Sequence, residues 1–141
     1  MTAIAAELLA AYRETEYHVG GASPFVLYIG RASPALLQLQ ARLLVRCSAF
    51  LTAVNPRSQC CNADVNAARQ RALAAQLGAL GLPLITGYGK HPGNDWPAEP
   101  SFLVPGLSLS KAQAVARQWE QNALVFCAAD AIPRLVLSGC G

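Results

Sequence analysis

Ala49-Phe50-Leu51-Thr52-Ala53-Val54-Asn55-Pro56-Arg57-Ser58 is the stretch whose reading decides the fold. Its first six residues are apolar or β-branched and read as a buried strand. Asn55-Pro56 stops that strand, because proline has no amide for the ladder and pushes its predecessor out of helical geometry. Asn62 then caps a helix over about Ala63 to Leu80, with Val65, Ala72, Leu73, Leu77 and Leu80 as its inner face and Gly81 with Pro83 as its stop. A strand that passes through a short polar turn into a helix belongs to a chain that packs helices on a sheet.

The same grammar extends outward in both directions. Upstream, Ile4, Leu8 and Ala11 recur at helical spacing, which gives a helix over about Ala3 to Glu14 that Gly20-Gly21 and Pro24 break. Phe25 to Ile29 reads as a short strand. Ser33-Pro34 starts a second helix, whose apolar face is Leu36, Leu39 and Leu43 with Leu37 and Leu44 beside them. Downstream, Leu84 to Gly87 is a strand, and Tyr88 to Pro100 is a long surface loop rich in Gly, Pro, Asn and charge. Ser101 to Val104 is a strand, and Ser110-Lys111-Ala112-Gln113 matches a capping box before a helix faced by Ala112, Val115, Ala116 and Trp119. Leu124 to Cys127 and Leu135 to Leu137 form a closing hairpin. The fold class is α/β, with α+β as the alternative: one domain over residues 1–141, a mixed sheet of five or six short strands and four helices.

Composition narrows the function classes. A chain of 141 residues buries roughly 68–70% of its unfolded surface without metals or disulfides. The net charge is +3 and the eleven Lys and Arg form no run, so nucleic acid is a disfavoured partner. The five cysteines, Cys47, Cys60, Cys61, Cys127 and Cys140, are odd in number and lack repeated spacing, which points to reduced thiols in a cytoplasmic protein. Cys47 and Cys127 sit in apolar surroundings and read as small core residues. Met1 to Ala11 lacks the basic start of a signal peptide, and no stretch has the ~18 uninterrupted apolar residues of a membrane helix.

Thr52-Ala53-Val54-Asn55-Pro56-Arg57-Ser58, Asn66, Trp96-Pro97-Ala98-Glu99-Pro100-Ser101-Phe102 and Gln121-Asn122-Ala123-Leu124-Val125 together resemble a bacterial family of short cytosolic proteins classed as a domain of unknown function (family 3293). The resemblance runs from about Tyr12 to Leu137, with Ala98 and the segment Gly20 to Ser48 departing from the family pattern. It implies a small bacterial cytosolic domain and transfers no activity.

Candidate ligand-binding residues are Asn55, Arg57, Ser58, Asn66, Trp96, Glu99, Ser101, Gln121 and Asn122. Ligands in α/β proteins gather at strand ends, where the Arg57 fork and the Ser58 hydroxyl suit an anionic group. Asn55 and Ser58 equally serve to bond their own turn. Trp96, Glu99 and Ser101 follow a loop holding Lys90, His91 and Asp95, so acid, base and aromatic surface occur together. The alternative is a packed Trp96 lid with solvated charges. Gln121-Asn122 either reads a ligand or closes a helix end. No catalytic residue, metal site or cofactor is assigned. The chain lacks the glycine and lysine spacing of a P-loop, paired C-x-x-C spacing and a G-x-S-x-G elbow. The leading expectation is a small anionic metabolite anchored by Arg57 and covered by Trp96. The rival is an interaction module that docks another protein or a second copy.

Overall fold

The computed structural model describes residues 4–139. In chain order it comprises α1 (Ala6–Glu14), β1 (Glu16–Val19), β2 (Phe25–Leu27), α2 (Pro34–Leu43), β3 (Ser48–Leu51), a single 3-10 turn (Pro56–Ser58), α3 (Ala63–Gly78), β4 (Ile85–Lys90), β5 (Glu99–Pro105), α4 (Leu109–Gln118), β6 (Ala123–Cys127) and β7 (Pro133–Leu137). All seven strands join one sheet in the order β2-β1-β4-β5-β3-β6-β7. The expected class, four helices packed with one sheet, is the observed one. The sheet has seven strands instead of five or six, and it is antiparallel at every pairing rather than mixed.

Alternation along the central strands divides the core in two. Ala49, Leu51, Phe102, Val104 and Leu124 face α3 and α4, where Leu73, Leu77, Ala112, Val115 and Ala116 meet them. Tyr17, Val19, Phe50, Leu103, Val125 and Cys127 face the other way, against Leu36 of α2. Leu36, Leu73, Leu77, Leu103 and Leu107 are wholly buried, and each such side chain stabilises the fold by about 1.5–3 kcal/mol.

Several local expectations need correction. The additional strand is β1, whose buried Tyr17 and Val19 alternate with Glu16 and His18. The expected long loop is partly sheet, because Tyr88 to Lys90 extend β4 and Glu99-Pro100 open β5. α4 is capped by Ser108, whose side chain accepts from the Lys111 amide, and Ser110 lies inside the helix. Ser33 and Asn62 do cap their helices, accepting from the amides of Leu36 and Val65.

Val65, Ala72 and Leu80 are exposed, and the inward side of α3 is polar in its first half, through Asn66, Arg69 and Gln70. On α2, Leu37, Leu43 and Leu44 are also exposed, because buried Gln40 takes an inward place and bonds Ser48 and Ala128. Cys127 is buried and Cys47 half-buried. Cys140 and the expected helix start at Ala3 lie outside the described residues. No helix is long and apolar enough to cross a membrane, among the residues described.

Antiparallel pairing also places the three polar stretches. β5 and β6 both run against β3, with Leu51 opposite Phe102 and Phe50 opposite Val125. The chain leaving β3 at Thr52 therefore meets the starts of β5 and β6 at one rim. Gly89 opposite Glu99, and Glu16 opposite Lys90, bring the end of β4 and the start of β1 to the same rim. Since α1 leads directly into β1, its last turn arrives there too.

Candidate functional site

The turn after β3 is held in an uncommon backbone conformation. Asn55, Arg57 and Ser58 have φ of 48°, 54° and 58°, a left-handed region that asparagine tolerates better than most residues. Buried side-chain bonds keep it there. Asn55 Oδ1 accepts from the Cys61 amide at 3.0 Å and from Asn66 Nδ2 at 2.8 Å, while the Asn55 amide donates to Asn66 Oδ1 at 2.9 Å. Asn55 Nδ2 donates to Glu99 Oε2 at 2.8 Å, and the same oxygen accepts Trp96 Nε1 at 2.8 Å. Asn66, Asn55, Glu99 and Trp96 thus form one chain of bonds linking α3 to the start of β5.

Behind this chain stands a brace. Arg69 donates to the carbonyls of Ala53 and Trp119, both at 2.6 Å, and Gln70 accepts from the Ala53 amide at 3.0 Å. Gln121 Nε2 donates to the Val54 carbonyl at 3.0 Å, so Gln121 closes the strand end.

Between α1 and the sheet lies a partly open cavity of about 210 Å³. Its apolar wall includes Leu8 and Ala11 of α1 together with Phe50, Val125 and Leu135. Its polar lining includes Tyr12, Asn55, Ser58, His91, Glu99 and Asn122, and Trp96 lines it as well. Helix α1 buries none of its residues. Polar tethers hold it in place instead. Tyr12 Oη lies 2.5 Å from Ser58 Oγ and accepts Asn122 Nδ2 at 3.1 Å, and Tyr17 Oη donates to the Tyr12 carbonyl at 2.5 Å. His91 Nε2 reaches Glu14 at 2.9 Å. Burial pushes the Tyr17 phenol well above its ordinary value, with Tyr12 and Glu99 adding to the effect, so it stays a donor.

Seven of the nine residues singled out in the sequence line this cavity: Asn55, Ser58, Trp96, Glu99, Ser101, Gln121 and Asn122. Asn66 stands behind the wall and positions Asn55. Arg57 is not brought to it. Its guanidinium pairs with Glu120 at 3.0 Å and its side chain is 68% exposed, because the left-handed turn sends it outward. Lys90 also stays away, bonding the carbonyls of His91 and Asn94. The cavity-lining residues missed in the sequence include Tyr12 and Tyr17, for which the alternation Tyr17/Val19 was the available signal. Among the described residues, no three or more His, Cys, Asp or Glu are grouped so as to hold a metal ion.

The model of the family described as Protein of unknown function (DUF3293) matches residues 51–124, just over half of the chain. The chain belongs to this family. The DUF3293 match begins inside β3 and ends inside β6, a narrower span than Tyr12 to Leu137, and it contains all nine of those residues. Helix α1 and strand β1, with Tyr12 and Tyr17, precede it. No curated protein and no solved structure matches the chain.

Proposed function

We propose that this DUF3293 protein binds a small molecule with an apolar body in the cavity beneath α1, as a single-domain bacterial cytoplasmic protein. The observation that carries the reading is the lining itself: apolar side chains together with convergent polar groups from four separate stretches of chain. Sites for small ligands combine these two features, with the apolar wall supplying affinity and a few polar groups fixing orientation. The volume suits a compact ligand of few heavy atoms. The weakly packed α1 supports entry from that side, since an element with no buried residue opens at lower free energy than the core. The cytoplasmic placement rests on the free thiols at Cys47, Cys60, Cys61 and Cys127.

A broad metabolite screen by thermal denaturation tests the reading. A true ligand at about a hundredfold above its Kd stabilises by about 2.7 kcal/mol, a rise of several degrees for a domain of this size. Ala11→Leu, which fills the cavity from α1, is expected to fold and to lose that response. A flat response of the natural chain across the screen, or an equal rise in the variant, would remove the reading.

The second reading, docking of another protein or a second copy, is favoured by the exposed leucines of α2 and its C-cap, where Leu37 is 50% and Leu44 91% exposed. Concentration-dependent sedimentation, abolished by Leu44→Ser, would support it.

A further inference from the structure

We infer that the ligand of this cavity is a cation, an organic ammonium whose charged head sits against Glu99 and whose apolar body lies along Phe50, Val125 and Leu135. The inference rests on the binding reading above and adds its charge.

Glu99 is the one acidic side chain among the described residues that line the cavity. His91 also borders it, but both of its ring nitrogens already have partners: Nδ1 accepts the Gly93 amide at 2.9 Å and Nε2 faces Glu14 at 2.9 Å. No lysine or arginine is among the lining residues; of the four that flank lining residues in sequence, Arg57, Lys90 and Arg134 are engaged elsewhere and Arg13 is exposed on α1. An anionic ligand would therefore meet a carboxylate with nothing to offset it.

The two oxygens of Glu99 are unequally used. Oε2 accepts both Asn55 Nδ2 and Trp96 Nε1, whereas Oε1 takes no hydrogen bond from the described residues. The double bond to Oε2 fixes the carboxylate plane and leaves Oε1 as the open acceptor on a half-buried group. A carboxylate oxygen in a restricted, largely apolar space gains most from a charged donor. The surrounding walls suit such a donor. Tyr12, Tyr17, Phe50 and Trp96 all contribute ring surface to the cavity, with Tyr17 and Phe50 in edge contact at 5.5 Å. Aromatic faces attract ammonium heads through their quadrupoles. A divalent metal ion is a poor occupant, since one carboxylate does not supply the six or more oxygens it takes.

Three probes of equal length separate the alternatives: n-hexylammonium, 1-hexanol and n-hexanoate, titrated calorimetrically against the natural chain and Glu99→Gln. The amide keeps an acceptor for Asn55 and Trp96 while removing the charge. Hexylammonium is expected to bind about tenfold or more tighter than hexanol, with hexanoate weakest. In Glu99→Gln that preference falls to within about twofold. Should the variant fail to fold, the order of the three probes on the natural chain decides alone. Hexanol binding with no preference for ammonium, or hexanoate binding equally well, overturns the charge assignment and leaves the cavity reading standing. Failure of all three to bind removes both.

Discussion

Asn55→Ala is expected to lower the unfolding free energy by about 3 kcal/mol, measured by urea denaturation at an unchanged slope. Asn55 is 7% exposed and its side chain serves the Cys61 amide, Asn66 and Glu99 at once. Truncation leaves partners from three different segments without their bond, and buried groups left unpaired cost about 1–3 kcal/mol each before relaxation. Alanine also fits the left-handed backbone at φ 48° less well than asparagine. Asn55→Gly separates the two causes, since glycine adopts that backbone freely. It should recover up to about 1 kcal/mol of the loss and no more. Full recovery would mean that the chain from Asn66 to Trp96 contributes nothing to the fold.

Gly87→Ala is the second large effect, with an expected loss of about 3 kcal/mol or failure to fold. A Cβ at Gly87 would stand 2.1 Å from the His18 carbonyl oxygen and 3.3 Å from the Phe50 ring. The nearer contact is backbone, so no rotamer change relieves it. Relief requires β1 to move away from β4, which loosens the partner strand that carries Tyr17 to the cavity. Gly89→Ala, two residues along the same strand, is the control: its Cβ would meet side-chain atoms of Thr15 and Tyr17 no closer than 3.5 Å. A small loss at Gly89 beside a large one at Gly87 identifies the close strand approach as the cause. Equal losses would contradict it.

What the sequence disclosed, and what it withheld, follows from the range of the interactions involved. The caps at Ser33 and Asn62 were legible because each bonds an amide three residues on. The inner face of α4 was legible because Ala112, Val115, Ala116 and Trp119 obey helical period. Strand β1 was not, since only two of its four residues are buried and its neighbours Gly87 and Gly89 depress strand propensity in β4, Gly87 for the sake of close approach. The first half of α3 misled, because Asn66, Arg69 and Gln70 face inward to bond the strand end rather than outward to water. Arg57 read as an anchor, yet its direction depends on a backbone angle that no spacing rule encodes. The convergence of Asn55, Glu99 and Asn122 is a matter of strand order. Antiparallel neighbours on both sides of β3 produce it, and strand order lay beyond the local pattern.

The two tryptophans offer the most direct test of where a ligand sits. Trp96 donates its indole proton to Glu99 in the cavity lining, whereas Trp119 donates its own to Gln76 on the other side of the sheet. In a two-dimensional amide spectrum of ¹⁵N-labelled protein, titration with n-hexylammonium should move the Trp96 indole signal to saturation and leave that of Trp119 in place. Movement of the Trp119 signal with a stationary Trp96 signal would contradict the account.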